Sequence, residues 1–174
     1  DPMGYEMQPG YPERLGEIVD ALADWMLADG RIDFVLHGGD MIDVTADETI
    51  RQAAELFDLP APVHLCLGNH DTTELNAAER WLAVAPKLFG ESVTYSFESG
   101  GCLVHVVPTH WCEVDHYWQE ELTPQLRPGQ IEQVVRAAER RPDAVGILLT
   151  HSPMLGVPAE RTGLGYDFHG PSET

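Results

Sequence analysis

Basic residues are scarce in this chain. Its 174 residues hold 10 Lys+Arg against 29 Asp+Glu, a net charge of −19, and Lys87 is its one lysine. Such a surface repels nucleic-acid backbone and anionic membrane, so neither is expected as a partner. Cysteine is sparse too. Cys66, Cys102 and Cys112 make an odd count without CxxC spacing. That argues against a disulfide framework and points to a reducing compartment, here expected to be the cytoplasm. None of the three reads as a metal ligand or nucleophile, and Cys66 reads as core. No apolar run is long enough to cross a bilayer, and the opening Asp1-Pro2 lacks the basic start of a signal peptide. Internal repeats, low-complexity tracts and linkers are absent, so residues 1–174 are read as one domain with a sizeable core.

What the chain does have is one arrangement repeated three times. Asp33-Phe34-Val35-Leu36-His37 runs into Gly38-Gly39-Asp40-Met41-Ile42-Asp43. Val63-His64-Leu65-Cys66-Leu67 runs into Gly68-Asn69-His70-Asp71. Ala144 to Thr150 runs into His151-Ser152-Pro153. Each is a buried-strand pattern that releases ligand-type side chains at its carboxyl end, where open α/β sheets build their sites.

Helical spacing separates these strands. Residues 13–29 carry Leu15, Ile18, Val19, Leu22, Trp25 and Met26 on one stripe, with Gly30 as the stop. A second helix is expected from Thr45, whose spacing to Glu48 suits a capping box, with Ile50, Ala53, Ala54 and Phe57 inward. A third covers 74–84, and a fourth Pro128 to Arg140, striped by Ile131, Val134, Val135 and Ala138. Residues 94–107 alternate around Gly100-Gly101 and predict a hairpin. Residues 109–127 are irregular and aromatic, and 151–174 predict no element. Strands alternating with helices imply a largely parallel sheet, and the hairpin adds an antiparallel part.

The side chains of Asp40, Asn69, His70, Asp71 and His151 make one candidate constellation. Carboxylate, amide carbonyl and imidazole form a mixed oxygen and nitrogen set that suits Mn, Fe, Zn or Mg. Paired divalent ions can share a carboxylate and a hydroxide that attacks phosphorus in line. A nearby imidazole can protonate the leaving group. His37, His64 and His105 lie inside strand patterns and read as core or sheet-face residues. His110, Trp111, His116, Tyr117 and Trp118 crowd one long loop, which is read either as a substrate-facing lid or as a loop packing its own aromatics.

These residues resemble a known family. Gly39-Asp40-Met41-Ile42-Asp43 matches the GDxxD block of the calcineurin-like metallophosphoesterases, and Gly68-Asn69-His70-Asp71 matches their GNH[DE] block. His151, after an apolar strand, is similar to their mid-chain histidine ligand. The style is closest to the bacterial cyclic-nucleotide and glycerophosphodiester branch. The resemblance implies an α/β fold, an αββα sandwich of two mixed sheets flanked by helices. It implies two divalent ions bridged by Asp40, with Asn69 and His151 on the second. It implies that His70 is the general acid, oriented by Asp71, and that Asp43 supports the ligands from behind. The substrate implied is a small phosphate ester, a diester before a monoester.

The chain departs from that pattern twice. Where the family opens with D-x-H, this chain has Asp1-Pro2-Met3. Asp1 can serve as a ligand to the first metal, but Met3 replaces the histidine. The closing GHxH block is missing, and His169-Gly170 does not supply it. Two expectations follow: a partial catalytic core, incomplete at both ends, or a degenerate domain that binds a ligand or partner without catalysis.

Overall fold

The computed structural model describes residues 11–119 and 124–152. Four helices and five strands form there: α1 (Tyr11–Asp29), β1 (Val35–His37), α2 (Asp47–Leu56), β2 (Val63–Leu65), α3 (Ala77–Val84), β3 (Tyr95–Ser99), β4 (Cys102–Val106), α4 (Pro128–Arg140) and β5 (Val145–Leu149). Asp1, Met3 and His169 lie outside the described residues.

Two sheets result. β1 and β2 pair in parallel, with Leu36 opposite His64. β4 sits between β3, to which it is antiparallel, and β5, to which it is parallel. Only the second sheet is mixed; the first is purely parallel among the described residues. The hairpin turns where it was expected, because Gly100 and Gly101 take φ of 56° and 82°, a left-handed pair that side chains disfavour.

Strand alternation explains how the sheets meet. Val63 and Leu65 are buried with Ile50, Ala53 and Trp81 in one core. His64 points to the other face, where its ring stacks on Phe97 (3.7 Å between centroids) and its Nδ1 meets the Tyr95 hydroxyl at 3.0 Å. Tyr95 and Phe97 stand opposite Val106 and Val104 in register, so this face of the second sheet is what β2 packs against. The result is helix on sheet on sheet, with α2 and α3 sharing the core. His64 and His105 are the sheet residues they were expected to be; His105 Nδ1 pairs with Ser96 Oγ at 2.8 Å.

Some local expectations fail for physical reasons. Ala46, not Thr45, begins α2, and Thr49 Oγ1 accepts the Ala46 N–H at 3.1 Å. Thr45 is buried instead, donating to the Asp71 carbonyl and accepting the Thr73 N–H. The stripe of α1 is only half used: Val19 and Met26 are buried, while Ile18 and Trp25 are 51% and 55% exposed. In α4 the buried positions are Gln130 and Ala137, and Ile131 and Val135 face out. Periodicity identifies a helix but not what covers it.

Candidate metal centre

Two loops leave the parallel sheet side by side, at residues 38–43 and 68–73. Asp71 joins them. Its Oδ2 accepts the N–H groups of Asp40 and Gly68, both at 2.8 Å, and its Oδ1 accepts those of Met41 and Ile42 at 3.0 and 3.1 Å. Its own carbonyl accepts Thr45 Oγ1 and Trp81 Nε1, both at 2.9 Å. Asp71 is fully buried. Burial pushes its carboxyl up to about 6, the N–H bonds from Gly68, Ile42 and Asp40 pull the other way, and the Asp40 carboxylate adds to the rise. Four donors on two oxygens use every lone pair the ionised group offers. The latch therefore fixes the backbone from which Asp40 and Asn69 project.

Asp40 sits at φ 54°, in the left-handed region, directly after Gly39 at φ 106°. The turn needs glycine before it. A Cβ on Gly39 would lie 2.5 Å from His151 Nδ1 and 2.8 Å from the Gly68 nitrogen. A Cβ on Gly68 would collide with the Asp40 carboxylate. The missing side chains let the two loops and His151 close on one another.

They close on three acceptor atoms. His151 Nε2 lies 3.1 Å from Asn69 Oδ1 and 3.5 Å from Asp40 Oδ2. The other ring nitrogen, Nδ1, donates to the Gly38 carbonyl at 2.8 Å, which leaves a lone pair on Nε2. With the ring neutral, a lone pair, an amide oxygen and a carboxylate oxygen face one another, an arrangement that a cation can join. The donor set fits a borderline or hard divalent ion. Among the described residues no three His, Cys, Asp or Glu side chains form such a group. Asn69 is what completes the set around Asp40 and His151.

His70 lies beside the triad, its N–H donating to Asp40 Oδ1 at 3.1 Å. Its ring corrects one expectation. Asp43, not Asp71, meets it: Asp43 Oδ1 is 2.9 Å from His70 Nδ1, and the Asp43 carbonyl is 3.3 Å away. Asp71 is spent on backbone amides, so the carboxylates of 43 and 71 exchange the parts the resemblance gave them. Asp40, Asp43 and His70 line a single cavity of about 440 Å³.

His37, read as a core or sheet-face residue, and Trp118, read only as part of the aromatic loop, both border the site. His37 also lines that cavity, with its Nδ1 accepting the Gly39 N–H at 3.3 Å and its ring edge-on to Phe57. Burial lowers its pKa, with Asp40 opposing and His151 adding to the fall. Its place at the end of β1, three residues before Asp40, was the available signal. Trp118 lies 5.0 Å from the His70 ring, and its N–H donates to the Thr72 carbonyl at 2.7 Å.

The aromatic loop thus reaches the site at two points, since Trp111 also stands 6.2 Å from the His151 ring at 69°. His110 and His116 do not reach it; their rings pack against each other, tilted by 37° with centroids 4.3 Å apart. Arg127 and His110 flank Asp115 at 2.9 and 3.4 Å, and hydrogen bonding from Arg127 holds that carboxyl below its usual range. Burial lowers both imidazoles, His116 to about 4. Burial also raises the Cys66 thiol to about 12, which agrees with its reading as core.

No helix among the described residues is long and apolar enough to cross a membrane. No curated protein matches the chain. A family model described as calcineurin-like phosphoesterase matches residues 7–172. The side chains at 40, 69 and 151 meet at the strand ends, and the chain belongs to the calcineurin-like phosphoesterase family, whose chemistry is metal-dependent hydrolysis of phosphate esters.

Proposed function

We propose that the chain hydrolyses a phosphodiester, with Asp40, Asn69 and His151 holding a divalent cation and His70 serving as the general acid. The observation that carries this reading is the meeting of three acceptor atoms, within 3.5 Å, on the flank of the cavity that His70 lines. Asp1 would add a ligand toward a second ion that shares Asp40. A bound cation supplies charge neutralisation at the phosphoryl oxygens and lowers the pKa of water.

The protein's own part follows from its contacts. Asp43 Oδ1 accepts a hydrogen bond from His70 Nδ1–H, which keeps that proton in place and leaves Nε2–H for the leaving oxygen. As the water oxygen bonds to phosphorus, the bond from phosphorus to the leaving oxygen breaks. That oxygen takes the Nε2 proton, and the attacking water gives its proton to solvent. A diester is favoured over a monoester because no Lys or Arg among the described residues lines the cavity. A monoester dianion carries one more negative charge, which the bound cation alone would have to neutralise.

The test is turnover of bis(4-nitrophenyl) phosphate by manganese-loaded protein. His70→Ala should lower kcat by about 10²–10⁴ with bound manganese unchanged. Equal turnover in the variant would reject the role of His70. Protein that retains no metal at saturating manganese would instead favour a domain that binds without catalysis.

A further inference from the structure

Thr45 and Thr73 clasp the chain a second time, beyond the Asp71 latch. Thr45 N–H donates to Thr73 Oγ1 at 2.9 Å, and Thr73 N–H donates to Thr45 Oγ1 at 3.0 Å. The Thr73 hydroxyl donates to Thr45 Oγ1 at 3.2 Å, and the Thr45 hydroxyl donates to the Asp71 carbonyl at 2.9 Å. Each hydroxyl thus spends its one proton, while Thr45 Oγ1 accepts two and Thr73 Oγ1 accepts one. Thr45 is buried, so leaving any of its groups unpaired is costly. Both threonines stand close in sequence to the pair that matters for proton transfer: Thr45 follows Asp43, and Thr73 follows His70, by one short turn each.

That pair has little else to hold it. The Asp43 side chain is 89% exposed, and an ion pair in such a setting contributes little. The Asp43 carbonyl also lies 3.3 Å from His70 Nδ1. Both acceptors for this nitrogen therefore belong to one residue, and both move with its backbone. Trp118 packs on the His70 ring, but a ring contact does not select which nitrogen carries the proton.

We infer that Thr45 and Thr73 are positioning residues for His70: their clasp holds the backbone of Asp43 where its two oxygens keep a proton on His70 Nδ1. The effect on turnover rests on the hydrolase reading; the placement of the proton does not. The four bonds to the Asp71 carboxylate involve neither threonine, so the clasp acts on His70 and leaves the Asp40–Asn69–His151 triad in place.

Two measurements on the full chain test this. The first reads the ring 15N signals of His70 in zinc-loaded protein in mildly alkaline buffer. Native protein and Thr73→Ser should show the neutral ring protonated on Nδ1. Thr73→Val keeps the branched shape without the hydroxyl and should move the ring toward the Nε2–H form. A native ring in the Nε2–H form would overturn the inference without any substitution. The second measures turnover of bis(4-nitrophenyl) phosphate with manganese. Thr73→Val should lower kcat about tenfold with KM and bound manganese unchanged, and Thr73→Ser should restore it. In a His70→Ala background Thr73→Val should change kcat by less than about twofold, because the clasp works through the ring. A further tenfold loss in that background, or a loss of bound manganese, would overturn the inference. Absence of turnover in native protein whose His70 signals still respond to Thr73→Val would sink the hydrolase reading and leave the clasp standing.

Discussion

The loop at 38–43 and the loop at 109–119 both border the Asp40–Asn69–His151 triad, and each holds one non-glycine residue in the left-handed region. Asp40 has φ 54° and His116 has φ 51°. Each is restrained by its own N–H. That of Asp40 goes to the Asp71 carboxylate at 2.8 Å, and that of His116 goes to His110 Nδ1 at 3.1 Å. The acceptors make the difference. A buried carboxylate with four donors is saturated. A neutral imidazole accepts only until it is protonated. The first loop has no buried polar side-chain atom without a hydrogen-bond partner, whereas Thr109 Oγ1, Trp111 Nε1 and His116 Nδ1 in the second are buried without one. One loop is a finished support for the Asp40–Asn69–His151 triad. The other borders that triad with polar groups still to be matched.

Breaking the carboxylate latch should have the largest effect. Asp71→Asn turns two of four acceptor sites into donors facing backbone N–H groups, and should cost about 3 kcal/mol in urea unfolding. An unchanged midpoint would mean that the loops are held by something else.

Acid should act on the second loop next. The pKa values of His110 and His116 are both lowered in the fold, so their contribution is complete above about 6.5 and is lost as pH falls toward about 4. Asp115 beside them resists that loss and Arg127 promotes it. Hydrogen exchange of residues 109–119 should rise across this window. His116→Gln should flatten the change, and a rise that the substitution leaves in place would point instead to the Asp71 carboxyl, which is pushed up to about 6 and gains its proton in the same range.

Trp118 sharpens the comparison because it carries the second loop onto the site. Trp118→Ala should lower kcat about tenfold and move the limb of the pH profile that reports His70, and Trp118→Phe should restore most of both. A change in KM alone would make Trp118 a substrate contact rather than a positioning residue. The smallest effect belongs to Trp111→Phe. Removing an unpartnered buried N–H should leave stability unchanged or raise it by up to about 1 kcal/mol, read as a rise in Tm.

Much of the site was legible because strands that end in glycine announce where ligands emerge. Residues 40, 69 and 151 could be named from that alone, and the coordinates bring them together. The division of labour between Asp43 and Asp71 was not legible. It depends on a short 3-10 turn at His70–Thr72 that aims one carboxylate inward at backbone amides. His37 was hidden for a similar reason, since alternation gives a face but not the cavity beyond it. The helices were placed within a few residues, yet Ile18, Trp25, Ile131 and Val135 turned outward. A repeat of 3.6 reports amphipathicity, and only the neighbours decide which residues are covered.

The left-handed backbone at position 40 favours glycine, asparagine and aspartate over most other residues. Of these, aspartate alone carries a charge. Conformation and chemistry thus converge on one choice from independent directions. Drift there toward either neutral alternative would silence the centre while the architecture stood intact. A hydrolase could so become an inert shell, with no trace of the change in its folding.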